Sequence, residues 1–291
     1  MAKILVTGAN GQLGYELQQL SARFPQHQFR FCSRAELDVT DETQVQKEIE
    51  TFAPDYCINC AAYTAVDKAE TEIEAAFAGN ATAPKNLALA SKQRGAHFLH
   101  ISTDYVFEGT ATAPQNEEAP TAPVNQYGLS KLQGEKEVMA TNTDAIIIRT
   151  SWVYSSHGAN FVKTMMRLMP TKPELRVVAD QFGSPTYAAD LATAIMQIIE
   201  SGKWQSGIYH YRNEGIISWA DFAQAIKELI KSDCEVVRIP TTEYPTPAKR
   251  PLYTAMDISK IKAVYGITPP HWKDSLQICI AQLQASTAPN V

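Results

Sequence analysis

Directly after a short apolar run, Lys3–Thr7, the chain reads Gly8-Ala9-Asn10-Gly11-Gln12-Leu13-Gly14 and then becomes amphipathic, with Leu13, Leu17 and Leu20 on one helical face. Three glycines spaced G-x-x-G-x-x-G between a strand and a helix constrain the fold more than any other feature of this chain. They permit a tight turn and let backbone approach a pyrophosphate, which then sits on the positive end of the helix. A glycine pattern alone is compatible with a plain strand-to-helix turn. This one lies at the very start of the chain, inside a strand–helix–strand unit of dinucleotide-binding length. It is read as a dinucleotide cradle, with Gly8, Asn10, Gly11, Gln12, Leu13 and Gly14 as cofactor contacts.

The rest of the first half repeats the alternation. Apolar strands are expected at Gln28–Cys32, 56–60, 96–101 and 145–149, and helices at 12–24, 41–52, 75–93 and 126–140. Near-continuous apolar strands between amphipathic helices indicate a parallel sheet covered on both faces, a Rossmann-type doubly wound α/β architecture. Beyond Arg149 proline and aromatic residues become frequent, as in Met169-Pro170-Thr171-Lys172-Pro173 and Tyr244-Pro245-Thr246-Pro247. Short strands at 176–178, 207–211 and Glu235–Ile239, with helices at 188–201, 219–231, 258–265 and 272–284, describe a smaller α/β substrate-binding lobe over the C-terminal edge of the sheet. The expected division is an NADP-binding domain over 1–150 and a mainly substrate-binding domain over 151–291, with the helix near 188–201 returning to the first. Residues 285–291 are expected to fray.

Composition narrows the function classes. With 31 acidic against 26 basic residues, a net charge of −5, the chain is a poor partner for a phosphate backbone, which excludes nucleic acid. No run approaches the ~18 apolar residues of a membrane span. Lys3-Ile4-Leu5-Val6 follows Met1 almost at once, without the apolar core of a secretory signal. A cytoplasmic enzyme or binding protein is expected. The five cysteines are scattered and odd in number, which argues against a disulfide framework. Cys57-Ile58-Asn59-Cys60 formally matches C-x-x-C but lies in an apolar strand, where residues three apart point to opposite faces, and so reads as core. His97 and His100 diverge for the same reason, and no zinc site is expected.

The end of the second strand bears on which dinucleotide binds. A carboxylate there takes the ribose 2′-hydroxyl of NAD, whereas an arginine accommodates a 2′-phosphate. The strand ends Phe31-Cys32-Ser33-Arg34, with no carboxylate before Glu36, so Ser33 and Arg34 favour NADPH; the alternative is a solvated turn arginine. Asp38 and Val39 can cover the adenine edge. Asn59-Cys60-Ala61-Ala62-Tyr63 ends the third strand with small residues, as a passing cofactor requires.

Tyr127-Gly128-Leu129-Ser130-Lys131 puts a phenol and an ammonium one helical turn apart. An ammonium beside a phenol lowers its pKa and makes it a better proton donor near neutrality. Alone, a tyrosine and a lysine at this spacing are a common accident. Ser102-Thr103-Asp104-Tyr105 ends the fourth strand, on the side of a parallel sheet where ligands bind, and Thr103 can reach the same substrate oxygen.

Taken together, the glycine loop, Asn59-Cys60-Ala61-Ala62, Ser102-Thr103-Asp104-Tyr105-Val106-Phe107 and Tyr127-x-x-x-Lys131 resemble the extended short-chain dehydrogenase/reductases. Within them the chain is most similar to the dTDP-4-dehydrorhamnose reductase family. The specific stretches are 61–70 (AAYTAVDKAE), 149–154 (RTSWVY), 160–165 (NFVKTM), 180–186 (DQFGSPT) and 247–251 (PAKRP), so the likeness runs nearly end to end. The resemblance implies reduction of the C4 ketone of a dTDP-linked 4-keto-6-deoxy sugar by NAD(P)H. It implies that Tyr127 donates the proton, that Lys131 holds the nicotinamide ribose, and that Thr103 tunes the tyrosine and binds the sugar. Asp104 and Trp152 would shape the sugar pocket, and Arg250 would meet the substrate diphosphate. Without the resemblance, Trp152 also reads as a core aromatic and Arg250 as a surface ion pair. Gly11, Gln12, Leu13, Asp38, Val39, Ala62, Tyr63 and Thr64 would contact the dinucleotide, and Ala61 and Ile101 complete that set.

Two features depart from the family pattern. Some members bind Mg²⁺ through glutamates at a homodimer contact; Glu16 matches the first, but Tyr187-Ala188-Ala189-Asp190 offers no equivalent of the second. The tip of the second strand also varies, and some members accept NADH as well as NADPH. Two rival readings remain from the sequence: a non-catalytic NADP-binding regulatory subunit like that of methionine adenosyltransferase, and another nucleotide-sugar reductase or epimerase.

Overall fold

The computed structural model describes residues 1–287. In chain order the first elements are β1 (Lys3–Thr7), α1 (Gln12–Ser21), β2 (Gln28–Cys32), α2 (Glu42–Phe52) and β3 (Tyr56–Asn59). There follow α3 (Ile73–Phe77), α4 (Ala83–Arg94), β4 (His97–Thr103), α5 (Gln126–Thr141) and β5 (Ile146–Thr150). The second half contributes β6 (Val153–Tyr154), α6 (Phe161–Leu168), β7 (Glu174–Val178), β8 (Phe182–Gly183), β9 (Thr186–Tyr187) and α7 (Ala188–Glu200). It closes with β10 (Gly207–His210), β11 (Ile217–Ser218), α8 (Trp219–Ile230), β12 (Glu235–Ile239), α9 (Ser259–Tyr265) and α10 (Trp272–Thr287).

Six strands form one sheet in the order β10-β5-β4-β3-β1-β2, and every neighbouring pair is parallel. The strands are apolar on both sides because both sides are covered. Alternate residues feed opposite cores: Ile4, Val6, Ile58, Ile146 and Ile148 pack with α1, α7 and α9, while Leu5, Cys57, Phe98 and Ile147 pack with α2 and α4. The chain reverses its direction of travel across the sheet between β1 and β3. In such sheets a crevice opens outside the carboxyl ends of the two strands, here at Gly8 and Cys60.

Helix α7 packs against α1. The return is larger than that one helix, however, since β10 is the sixth strand of the main sheet and Ile261 of α9 lies in the core beneath it. The smaller lobe has its own core, in which Tyr154, Phe222, Trp272 and Leu276 join α8 and α10 to the β7–β12 pair.

Several boundaries differ from the sequence reading. The stretch 75–93 is not one regular helix: α3 and α4 are joined by a π turn at Ala78–Thr82. α1 ends at Ser21, β4 runs on to Thr103, and α6, capped by Asn160 on Lys163 N, was not anticipated. α10 is helical through Thr287, while 288–291 of the expected tail lie outside the described residues. Cys57 and Cys60 face opposite cores as expected, and burial pushes the Cys57 thiol up to about 12. Among the described residues no helix is long and apolar enough to cross a membrane.

Candidate active site

The glycine loop is built by its own packing. Gly8 has φ +70°, and a Cβ there would lie 2.6 Å from Ala61 N; a Cβ on Gly14 would lie 2.3 Å from Gly8 O. Both positions therefore require glycine before any ligand is considered. Gly14 lines neither of the two cavities that Gly11 borders and serves the close fit of α1 onto β1. Gly11 is also the N-cap of α1 and no side chain caps that helix, so its first-turn amides are presented to the crevice. This cradle fits a dinucleotide pyrophosphate.

On one side of Gly11 lies a cavity of about 530 Å³ walled by Gly8, Asn10, Arg34, Asp38, Val39 and the run 61–63. Arg34 faces it. Ser33 does not: its amide and hydroxyl both donate to the Glu36 carboxylate, at 2.8 and 2.7 Å. Glu36 thus already holds both donors of Ser33, one of the two residues expected to meet a 2′-phosphate.

On the other side of Gly11 a cavity of about 600 Å³ brings together Gln12, Leu13, Ala62 and Thr64 with Ile101, Thr103, Asp104, Tyr127, Lys131 and Trp152. β4 delivers Ile101 and Thr103 at its carboxyl end, and the N-terminal turn of α5, capped by Asn125 on Gly128 N at 2.8 Å, delivers Tyr127. Lys131 is 2% exposed; its Nζ donates to Ile101 O at 2.6 Å and lies 3.5 Å from His100 Nε2. Burial pulls the Lys131 ammonium down to about 8.

One expectation is reversed. The Tyr127 phenol is not lowered but pushed up to about 12, because burial outweighs the neighbouring Thr103 hydroxyl, which pulls it down, and Asp104 adds to the rise. Lys131 is turned to the Ile101 carbonyl and does not counter that burial. Asp104, 2% exposed, accepts from Thr254 Oγ1 at 2.5 Å and Thr103 Oγ1 at 3.1 Å, and burial raises its carboxyl to about 7.

Trp152 adopts φ +45°, uncommon for a bulky residue, and stacks on Trp219 with ring centroids 3.7 Å apart. Gly183 lies against the indole, where a Cβ would come within 2.9 Å of the ring. Trp219, which the sequence reading missed, forms the far wall and also borders a third cavity of about 360 Å³. That cavity contains Arg250, whose guanidinium grips Asp67 with two bonds of 2.9 Å and holds the Asp67 carboxyl below the usual range. Asn125, the cap of α5, also donates to Lys249 O at 2.8 Å and so ties this segment to the helix bearing Tyr127.

Two further residues escaped the sequence reading. Asn80, in the π turn, accepts from Tyr63 N and donates to Tyr63 O and Ser130 Oγ, locking the cofactor loop to α5. A π bulge amid regular helix often marks a functional site, but nothing in the local sequence signals it. His100 had been dismissed with His97 as a metal ligand, yet it faces Lys131. Glu16 is buried and its carboxylate accepts from Ser155 Oγ at 2.6 Å, and among the described residues no group of three metal-capable side chains lies within the one chain.

Residues 2–285 match the family described as RmlD substrate binding domain. A dTDP-4-dehydrorhamnose reductase of Aggregatibacter actinomycetemcomitans is 40% identical over 287 residues, covering 95% of this chain and 98% of the relative. The crystal structure of a dTDP-4-dehydrorhamnose reductase from Clostridium acetobutylicum superposes with a TM-score of 0.94 at 42% identity, covering 97% of this chain and 99% of that one. A dTDP-4-dehydrorhamnose reductase from Bacillus anthracis, crystallised in complex with NADP, gives 0.92 at 38% identity with the same coverage.

Proposed function

The chain belongs to the RmlD substrate binding domain family, and on that premise we propose that it reduces dTDP-4-dehydro-β-L-rhamnose to dTDP-L-rhamnose with NADPH, the last step of dTDP-rhamnose synthesis. The observation that carries the reading is the 600 Å³ cavity, in which a phenol, a buried lysine and a threonine hydroxyl at the sheet's carboxyl edge face the glycine loop. Bound at that loop, the nicotinamide supplies the hydride.

The chain's own residues supply position and the proton. A phenol with its pKa near 12 is fully protonated at neutral pH, which is the form a reductase needs in its acid. Tyr127 Oη gives that proton to the C4 oxygen as negative charge develops there, and the Thr103 hydroxyl donates to the same oxygen. Lys131 holds the nicotinamide ribose and, as an ammonium, favours the phenolate left behind. The Trp152–Trp219 pair bounds the sugar pocket, and Asp104, about half protonated at neutrality, bonds a sugar hydroxyl. Arg250 keeps donors beyond those used on Asp67 for a diphosphate oxygen. Gly11, Gln12 and Leu13 take the pyrophosphate, Asp38 and Val39 the adenosine, and Arg34 the 2′-phosphate. This loop and pocket support NADPH, with NADH a weaker alternative. No step calls on Mg²⁺ or a second subunit.

Incubation with NADPH and a panel of dTDP- and GDP-linked 4-keto-6-deoxy sugars tests the reading. Stoichiometric NADPH oxidation with dTDP-L-rhamnose as product is expected. Product formation without net NADPH consumption would indicate an epimerase, and no turnover on any sugar would refute the proposal.

A further inference from the structure

Lys131 is held by two groups, and one of them has a fixed hydrogen-bond polarity. Asn59 Oδ1 accepts from the Ala61 amide at 3.0 Å and from the Thr7 hydroxyl at 2.7 Å. A backbone N–H can only donate, so this end of the side chain must be its carbonyl. The amide nitrogen therefore faces His100 Nδ1, at 3.1 Å, and it too can only donate. Nδ1 is thus the acceptor, and the proton of the neutral ring lies on Nε2. Asn59 and His100 are both fully buried, and burial holds the imidazole neutral. The protonated Nε2 points at Lys131 Nζ, 3.5 Å away.

An N–H aimed at an ammonium is repulsive; aimed at the lone pair of an amine it is a hydrogen bond. We infer that Asn59 and His100 are positioning residues that bias Lys131 toward the neutral amine in the cofactor-free enzyme, so that binding of the nicotinamide ribose is coupled to uptake of one proton from solvent at Nζ. The inference rests on the proposed role of Lys131 as the ribose ligand. On leaving His100 and the Ile101 carbonyl for the ribose hydroxyls, Nζ keeps oxygen acceptors and sheds only the donor neighbour, His100 Nε2, and its charge appears only in the loaded site where Tyr127 must part with a proton.

The other groups around Lys131 leave this balance standing. Glu135, one turn further along α5, favours the ammonium, but both its oxygens are engaged by Arg149 of β5 and one also by Ser102. Asp104, beyond β4, is bonded to Thr254 and Thr103, and Tyr127 is protonated. The π turn packed on α5 offers the neutral Asn80, Glu70 of the preceding short helix accepts from Gln126 N, and Lys85 of α4 pairs with Glu137 on the solvent side.

Three measurements test it. Nitrogen-15 NMR of the full-length protein near neutral pH should show His100 protonated on Nε2 and bare on Nδ1; the opposite tautomer overturns the inference. Calorimetric titration with NADPH near pH 8, in two buffers of different ionisation heat, should show uptake of about half a proton per site. Uptake should vanish in Lys131→Met; absent uptake in the wild type, or uptake that survives this substitution, overturns it. In Asn59→Asp the carboxylate accepts from Ala61, Thr7 and His100 Nδ1 together, which turns the Nε2 lone pair toward an ammonium. The alkaline limb of kcat/KM for NADPH against pH, which reports the cofactor-free enzyme, should then move up by about one unit, a tenfold change. An unmoved limb in a folded variant overturns the inference, and if the variant does not fold the wild-type measurements decide. A wild type with the expected tautomer and uptake that reduces no keto sugar would sink the proposed reaction and leave this coupling standing.

Discussion

In the proposed reaction Tyr127 surrenders a proton, and burial keeps that proton on the phenol at neutral pH. Tyr127→Phe should lower kcat by about 10²–10⁴-fold while leaving the NADPH dissociation constant within a few-fold, measured by protein fluorescence. Burial acts in the same direction on Asp104. Its carboxyl rises from 3.8 to about 7, so between those values the folded chain holds a proton that the unfolded chain has released. That contribution to stability is complete below about pH 4 and is lost as pH rises through 7. Melting temperatures of the cofactor-free protein should fall across that range, and Asp104→Asn should flatten the decline. At the cofactor's edge, Arg34→Ala should weaken NADP⁺ and spare NAD⁺, whereas Glu36→Gln should tighten NADP⁺ several-fold by removing a carboxylate from the Ser33 donors. Equilibrium titration with both nucleotides separates the two effects. Residues whose chemistry is local, such as the glycine loop and the Tyr127–Lys131 pair, are legible in sequence. Asn80, Trp219 and His100 are not, because their partners lie 17 or more positions away.

Helix α5 is seated by two glycines. A Cβ at Gly128 would lie 2.2 Å from Tyr105 O, and one at Gly134 would lie 1.9 Å from Asn80 O. Both obstacles are backbone, so neither can turn aside. Gly134→Ala should destabilise by about 1–3 kcal/mol in urea unfolding and reduce kcat, because the helix that moves carries both Tyr127 and Lys131. The obstacle belongs to the π turn, which the periodicity of 75–93 did not reveal. Asp41 caps the start of α2, accepting from Thr43 N and Gln44 N. The two-residue strands β6, β8, β9 and β11 were invisible because strands so short have no period to detect.

The two lobes are sewn together by the chain's return. β10 pairs with β5, α7 lies on α1, and the side chains of Gln12 and Asn160 meet across the cleft at 2.9 Å. A fragment ending at residue 150 would bare the open edge of β5 and the apolar surface under α7 and α9. Expressed alone it should aggregate or bind hydrophobic dyes, and co-expression with 151–291 should restore a soluble pair, checked by size-exclusion chromatography. That interlocking lay beyond sequence reading because parallel partners are chosen by tertiary packing, not by local pattern. The cofactor loop and the sugar pocket are consequently parts of one object, and the stacked indoles of Trp152 and Trp219 sit at their seam. Two chromophores that close and that nearly parallel couple their transitions, so the enzyme carries its own optical gauge. Circular dichroism should reveal an exciton couplet that Trp219→Phe erases, and any nucleotide or sugar that shifts the seam will announce itself in that band without an added label.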